Sequence, residues 1–254
     1  MINPARRPLI LDLDFTLLHL EWRPDSIEVP GRTRSAWIAP QTVELLRELQ
    51  NKFAIILATA RSWDGTCWVH EGLAAQEVFV AAIVIEDGAQ FGQPNALQTM
   101  DVEFETKALR ALVDASQSAA WSAFEWQNDF QACLVVRCED KENAAHLLDI
   151  FAQKIEWPHA NLRFYRDGRK VYILSRRADK WSALQKLLGE RAPLSAGVGD
   201  GENDLCWLAN VKLPCTLTGA AFSVTGLVKS KQGYFSLHEG HDGICDVLRF
   251  LIAL

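Results

Sequence analysis

Apolar residues in this chain fall into short unbroken runs separated by stretches of helical spacing. Residues 9–13, 53–58 (FAIILA) and 78–85 (VFVAAIVI) read as the first three strands, and 194–198 and 211–217 as two later ones. Pro40 opens a helix carrying Val43, Leu45, Leu46 and Leu49, since proline suits a first helical position. Residues 180–188 read as a helix stopped by Gly189, and 243–251 as a last helix. Strands that are continuously apolar, rather than alternating, are buried on both faces. That pattern predicts an α/β fold, a doubly wound parallel sheet covered by helices.

Between about residues 88 and 177 the rhythm changes. Runs at 162–166 and 169–174 flank Asp167-Gly168, a two-residue hairpin signal, and 132–138 reads as another strand followed by a helix over 141–155. Hairpins make antiparallel sheet, which does not belong inside a parallel core. The expected organisation is therefore a catalytic core of 1–87 and 178–254 with an α+β cap domain, 88–177, inserted into it.

Bulk properties exclude more than they select. The 254 residues carry a net charge of −6, which argues against nucleic acid or an anionic membrane surface as partner. Arg6 and Arg7 precede apolar residues, but Asp12 and Asp14 interrupt what would be a signal core, and no apolar stretch reaches membrane-spanning length. A cytoplasmic location is expected. The six cysteines form no CxxC pair and read as reduced core residues, and the six histidines lack metal-ligand spacing, so zinc is not expected.

The chemistry lies where the strands end. The first run breaks at Asp12-Leu13-Asp14, and ionised carboxylates are costly away from water. At strand spacing, residues i and i+2 point the same way, so both acids would crowd one spot around something cationic. The second run ends in Thr59-Ala60-Arg61, and the fourth in Gly199-Asp200-Gly201-Glu202-Asn203-Asp204. Each has a bland reading: a solvated strand end, an acidic turn capping a helix, and, for Lys180 behind Asp179, an exposed lysine in a first helical turn. Their gathering at strand ends is the signal, because open α/β sheets bind ligands there. The set suits phosphoryl transfer. Asp12 can act as nucleophile, Asp14 as general acid and then base, and Asp12 with Asp200 as a Mg²⁺ site. Thr59 and Lys180 can meet phosphate oxygens, and Asp204 can pair with Lys180 or steady the ion's surroundings.

Together, DLDFTLL, Thr59 in LATAR, Lys180 in ADKWSAL and GDGENDL resemble the four motifs of the haloacid dehalogenase superfamily. A cap between the second and third motifs makes the chain most similar to its Cof-like and sucrose-phosphate-phosphatase-like branch. The resemblance implies a Rossmann-like core with a mobile α/β cap, Mg²⁺ dependence and an aspartyl-phosphate intermediate. It implies that Asp12, the Asp14 main-chain carbonyl and Asp200 bind Mg²⁺, while Thr59, Lys180, Asn203 and the neighbouring Arg61 face phosphate. Phe15 and Trp181 stand where the family usually has glycine, Trp207 where it has a smaller apolar residue, and Glu86-Asp87-Gly88-Ala89 where relatives carry Asn-Gly-Ala. The aromatic departures are expected to repack the core rather than narrow the pocket.

The expected activity is Mg²⁺-dependent hydrolysis of a small phosphorylated metabolite, a sugar phosphate foremost. A phosphotransferase or mutase of the same superfamily is the alternative. A non-catalytic binding module is the third reading, and the intact acids weigh against it. Oligomeric state is left open. Arg163, Arg166, Arg169, Lys170, Arg176 and Arg177 are read as a solvated basic face, with a grip on a second anionic group as the alternative. Trp63, Trp68 and Trp126 are read as structural.

Overall fold

The computed structural model describes residues 2–31, 34–116, 124–153, 157 and 161–254. Its strands follow in chain order as β1 (Arg7–Leu11), β2 (Ile27–Val29), β3 (Ala36–Ile38), β4 (Phe53–Ala58), β5 (Val80–Ile85), β6 (Gln90–Gln93) and β7 (Ala96–Thr99). Then come β8 (Phe124–Trp126), β9 (Leu134–Cys138), β10 (Leu162–Asp167), β11 (Lys170–Ser175), β12 (Ala196–Val198), β13 (Leu213–Thr218) and β14 (Tyr234–Glu239). The helices are α1 (Pro40–Leu49), α2 (Trp63–Ala75), α3 (Thr106–Ser116), α4 (Lys141–Gln153), α5 (Lys180–Leu188), α6 (Leu205–Leu208), α7 (Phe222–Ser230) and α8 (Gly240–Ile252).

The main sheet has the order β14-β13-β12-β1-β4-β5-β6-β7, parallel from β14 through β5. Its strands alternate between two apolar layers, which is why the runs are unbroken. Leu9 and Leu11 of β1, with Ile55 and Leu57 of β4, enter the layer that holds Val43 and Leu46 of α1 and Val247 and Leu248 of α8. Ile10, Ile56 and Ala58 point the other way, against Ala183 and Leu184 of α5 and Val224 and Val228 of α7. The doubly wound α/β fold expected from the pattern is thus the one formed. Among the described residues no helix is long and apolar enough to cross a membrane.

The inserted segment forms a second, antiparallel sheet of order β10-β11-β9-β8. Leu134, Val136, Val171 and Ile173 on one of its faces pack against Leu109 of α3 and Leu147 and Phe151 of α4. The opposite face looks toward the core.

Several boundaries differ from the sequence reading. Residues 90–99, expected in the cap, are instead the hairpin β6–β7 on the edge of the main sheet, held by antiparallel pairing of Val84 with Phe91 and by burial of Phe91. Strand β1 stops at Leu11, two residues early. The cap turn falls on Gly168-Arg169 rather than Asp167-Gly168, because Asp167 still pairs with Lys170. Helix α4 is described to Gln153, and residues 154–155 of the expected helix lie outside the described residues. Helices α2 and α7 and strand β14 were not expected: α2 starts at its Ser62 cap, and its low amphipathicity leaves little pattern to read.

Trp207 is fully buried beneath the sheet, and a Cβ at Gly197 of β12 would lie 2.2 Å from its Cζ3 atom. The glycine is therefore the space the indole fills. Gly197→Ala is expected to lower the unfolding free energy by about 1–3 kcal/mol in urea titrations, the range for an overpacked core. Adding Trp207→Leu in the same chain should recover part of the loss; no recovery would place the strain elsewhere.

Candidate active site

Parallel pairing sets the carboxyl ends of β1, β4, β5 and β12 along one edge, so Asp12, Thr59, Glu86 and Gly199-Asp200 leave the sheet side by side. Lys180 reaches this edge from the first turn of α5, whose cap is Asp179, accepting from the Ser182 N–H at 2.9 Å. The Lys180 side chain is fully buried. Its Nζ donates to Asp12 Oδ1 at 2.8 Å and to Asp204 Oδ1 at 2.7 Å. Asp204 has no oxygen to spare: Oδ1 also accepts from Trp207 Nε1 at 3.0 Å, and Oδ2 accepts the N–H groups of Asp200 and Gly201 at 3.2 and 3.1 Å. Thr16 donates its hydroxyl to Asp200 Oδ1 at 2.8 Å.

The two acids of the first motif do not crowd one spot. Because β1 ends at Leu11, residues 13–18 close into a turn in which the N–H groups of Leu17 and Leu18 both donate to the Leu13 carbonyl. Phe15 sits in that turn at φ +58°, a left-handed conformation that a side chain adopts at a cost and glycine does not. Asp12 is turned inward to Lys180. Asp14 opens to the cleft, where Arg61 grips it with Nε to Oδ2 at 2.8 Å and Nη2 to Oδ1 at 2.6 Å. Thr59 is buried beside them, its hydroxyl accepting from the Arg61 N–H at 3.2 Å. Asn203 lines the same cleft.

The charges shift the groups in ways that follow from this placement. Burial, reinforced by Asp204 and only partly offset by Lys180, raises the Asp12 carboxyl well above the usual range. Burial, opposed by the Thr16 hydroxyl and reinforced by Asp204, pushes Asp200 up to about 7. Burial would also raise Asp14, but the Arg61 guanidinium outweighs it and holds that carboxyl below its ordinary value. Lys180 would lose its proton more readily through burial alone; Asp12, Asp204 and Asp87 reverse that and keep it firmly charged. Asp12, Asp200 and Asp204 bring carboxylate oxygens within 4.8 Å of one another. Against a single ammonium they leave an excess of negative charge, and hard oxygen donors of this kind fit a divalent cation. With Asp204 committed elsewhere, Asp12 and Asp200 are the side chains left to hold one.

The junction between core and cap is a second polar cluster, which sequence reasoning noted only as an altered motif. Glu86, Asp87 and Gly88 run through φ +51°, +54° and +92°. Gly88 is required, since a Cβ there would sit 2.2 Å from the main chain of Asp179. The buried Glu86 carboxylate accepts the N–H groups of Gln131 and Ala132 in the cap at 2.9 and 2.8 Å. The buried Asp87 pairs with Arg163 of β10, and Ser62 donates to Asp129. Core and cap enclose a cleft of about 1370 Å³. Arg163, Arg166, Arg169 and Lys170 line it, so these members of the basic hairpin are cleft residues rather than a plain solvated face. Trp181 and Trp207 pack into the core layer under α5, as expected, but Phe15 is more than half exposed and lines the cleft. Trp63 and Trp126 pack against apolar clusters, and Trp68 is half exposed.

No protein-family model and no curated protein matches the sequence. Solved structures do. A haloacid dehalogenase-like hydrolase from Bacteroides thetaiotaomicron matches at TM-score 0.67 and 15% identity over 97% of this chain and 99% of the other. A sugar phosphatase of haloacid dehalogenase subclass IIB matches at 0.67 and 14%, over 97% and 99%. The sucrose-phosphatase of Synechocystis, solved with sucrose and phosphate, matches at 0.65 and 15%, over 97% and 98%. At such identities the likeness shows the fold: the chain has the haloacid dehalogenase-like α/β architecture with its Rossmann-like sheet.

Breaking the central ion pair has a pH-dependent cost. Lys180→Ala leaves Asp12 and Asp204 buried without their cation, and is expected to cost about 3–5 kcal/mol of unfolding free energy at pH 8 in EDTA. Asp12 and Asp200 have raised folded-state pKa values, so their contribution is present below the unfolded value near 4 and lost as pH rises through about 7 for Asp200. The variant's deficit should therefore shrink at pH 5, where these carboxyls hold protons. Equal deficits in urea titrations at both pH values would contradict this.

Proposed function

We propose that this haloacid dehalogenase-like chain is a Mg²⁺-dependent phosphomonoester hydrolase acting on a small phosphorylated metabolite, a sugar phosphate foremost, in the cytoplasm. The observation that carries the reading is the buried Lys180 held between Asp204 and Asp12, the latter lining the cleft. A merely structural cluster has no reason to keep an attacking-type carboxylate beside a cation at the open end of a parallel sheet.

In this reading an Asp12 oxygen attacks phosphorus, the bond to the ester oxygen breaks, and Asp14 gives the leaving alcohol its proton. That makes an aspartyl-phosphate, one difficult step divided into two easier ones. Asp14, now a carboxylate, takes a proton from the water that attacks phosphorus, which releases inorganic phosphate and restores Asp12. Lys180, Thr59 and Asn203 meet the non-bridging oxygens in this reading. Asp12 and Asp200, with the Asp14 carbonyl, would hold Mg²⁺, which when bound supplies further neutralisation of those oxygens.

Arg61 joins this scheme through Asp14. Its grip holds Asp14 below the usual carboxylate range, which suits the base and opposes the acid. An incoming phosphate dianion competes for the same guanidinium, and transfer of Arg61 to the phosphate frees Asp14 to carry its proton. Arg61 thus serves as a phosphate ligand that rests on the general acid in the free protein.

The decisive measurement is a phosphomonoester screen with purified protein and Mg²⁺, beside Asp12→Asn. Hydrolysis is expected to stop in EDTA and return with Mg²⁺. Asp12→Asn should lower kcat by roughly 10⁴-fold or more, the scale of losing a covalent nucleophile. Full activity of Asp12→Asn would remove the covalent mechanism, and inactivity of the wild type on every phosphomonoester would favour a binding module.

A further inference from the structure

The cap face that looks across the cleft ends in a row of charges. Strand register sets Glu125 opposite Arg137, Arg137 opposite Lys170, and Lys170 opposite Asp167. Two cations stand side by side in the middle of the row, an acid at each flank, and all four line the cleft. Like charges directly opposite on neighbouring strands are unfavourable, so a face that only met water would gain by interleaving the signs.

Arg137 also differs from the cations around it. Arg163 is committed to Asp87, Arg166 donates to the Lys141 carbonyl at 3.2 Å, and Arg169 to the Glu139 carbonyl at 3.1 Å. Among the described residues the Arg137 side chain has no hydrogen-bond or ion-pair partner, although the residue is half-buried. A third observation is independent of charge. Gln127, on the same face two residues from Glu125, is 5% exposed, and its carboxamide oxygen is buried without a partner. A buried acceptor left open is costly unless a ligand supplies the donor.

The orientation of a bound ester connects these groups. A phosphoryl group over Asp12, with its bridging oxygen at Asp14, leaves the alcohol portion nowhere to go but outward, toward the cap. We propose that Arg137 and Lys170 grip a second anionic group carried by that alcohol portion, a carboxylate or a second phosphate, while Gln127 accepts a hydrogen bond from one of its hydroxyls. The substrate class is then a doubly anionic, hydroxylated phosphomonoester rather than a neutral sugar monophosphate. This rests on the phosphatase reading above.

The test compares substrates in pairs. Phosphoglycerate differs from glycerol phosphate by a carboxylate in place of a hydroxymethyl group, and glucose bisphosphate differs from glucose monophosphate by a second phosphate. The wild type is expected to favour the doubly anionic member of at least one pair, chiefly through KM, and the favoured pair tells carboxylate from phosphate. Arg137→Gln and Lys170→Gln should each reduce that preference about tenfold, the scale of one charged hydrogen bond, with Arg137→Lys retaining part of it. No preference in the wild type for either pair, or a preference untouched by both variants, overturns the assignment. p-Nitrophenyl phosphate serves as the separate check on the phosphatase reading. Should no ester be hydrolysed, calorimetric titration of phosphoglycerate and glucose bisphosphate decides the anion site alone: binding lost in Arg137→Gln supports it, and absence of binding overturns it.

Discussion

The buried ammonium of Lys180 is the point on which the rest of the site hangs. A lysine with no exposed surface survives only because Asp12 and Asp204 meet it at hydrogen-bond distance, and those acids in turn are tolerable only with a cation between them. The pair is assembled from three distant parts of the chain, the end of β1, the start of α5 and the loop after β12, so it forms only when the parallel sheet is complete. Asp204 then ties the cluster to the core through the indole of Trp207, and to the Asp200 loop through two main-chain N–H groups. The unusual tryptophan is thus both a packing residue beneath β12 and a donor that holds the acid in place.

Above this floor, the junction of core and cap uses the same device. Glu86 and Asp87 are buried acids in a left-handed stretch of main chain. The strain persists because the surrounding contacts over-determine it: Glu86 holds two cap N–H groups and Asp87 holds Arg163. Each carboxylate therefore fixes where the cap sheet sits over the cleft. Asp87 also lies close enough to strengthen the charge on Lys180, so cap position and active-site charge share a residue.

Much of the fold was legible before any coordinates. Unbroken runs such as FAIILA have one physical meaning in a chain of this length, a strand buried on both faces, and β4 matches that run residue for residue. Pro40 and Asp179 marked the starts of α1 and α5 through local rules of φ and capping. What local rules missed were elements whose signal is weak or shared: α2, with little amphipathicity, and β6–β7, whose hairpin reads the same whether it extends the core sheet or the cap. Asp12, Thr59 and Asp200 were legible because they follow strand ends, and Lys180 because it follows a helix cap, but their pairing was not. Strand periodicity set Asp12 and Asp14 on one side, whereas a strand ending at Leu11 and a turn through Phe15 send them apart.

By itself, then, the sequence determined which residues could meet: carboxylates that follow buried apolar runs lie along one edge of a parallel sheet, and a lysine that opens a helix behind Asp179 can reach that edge. Only the tertiary structure decided who partners whom. Arg61 rests on Asp14, Asp204 is saturated while Asp12 and Asp200 are not, and the hairpin cations turn into the cleft with Arg137 left open. Those outcomes depend on distances of a few ångströms between segments far apart in the chain, and no local periodicity encodes them.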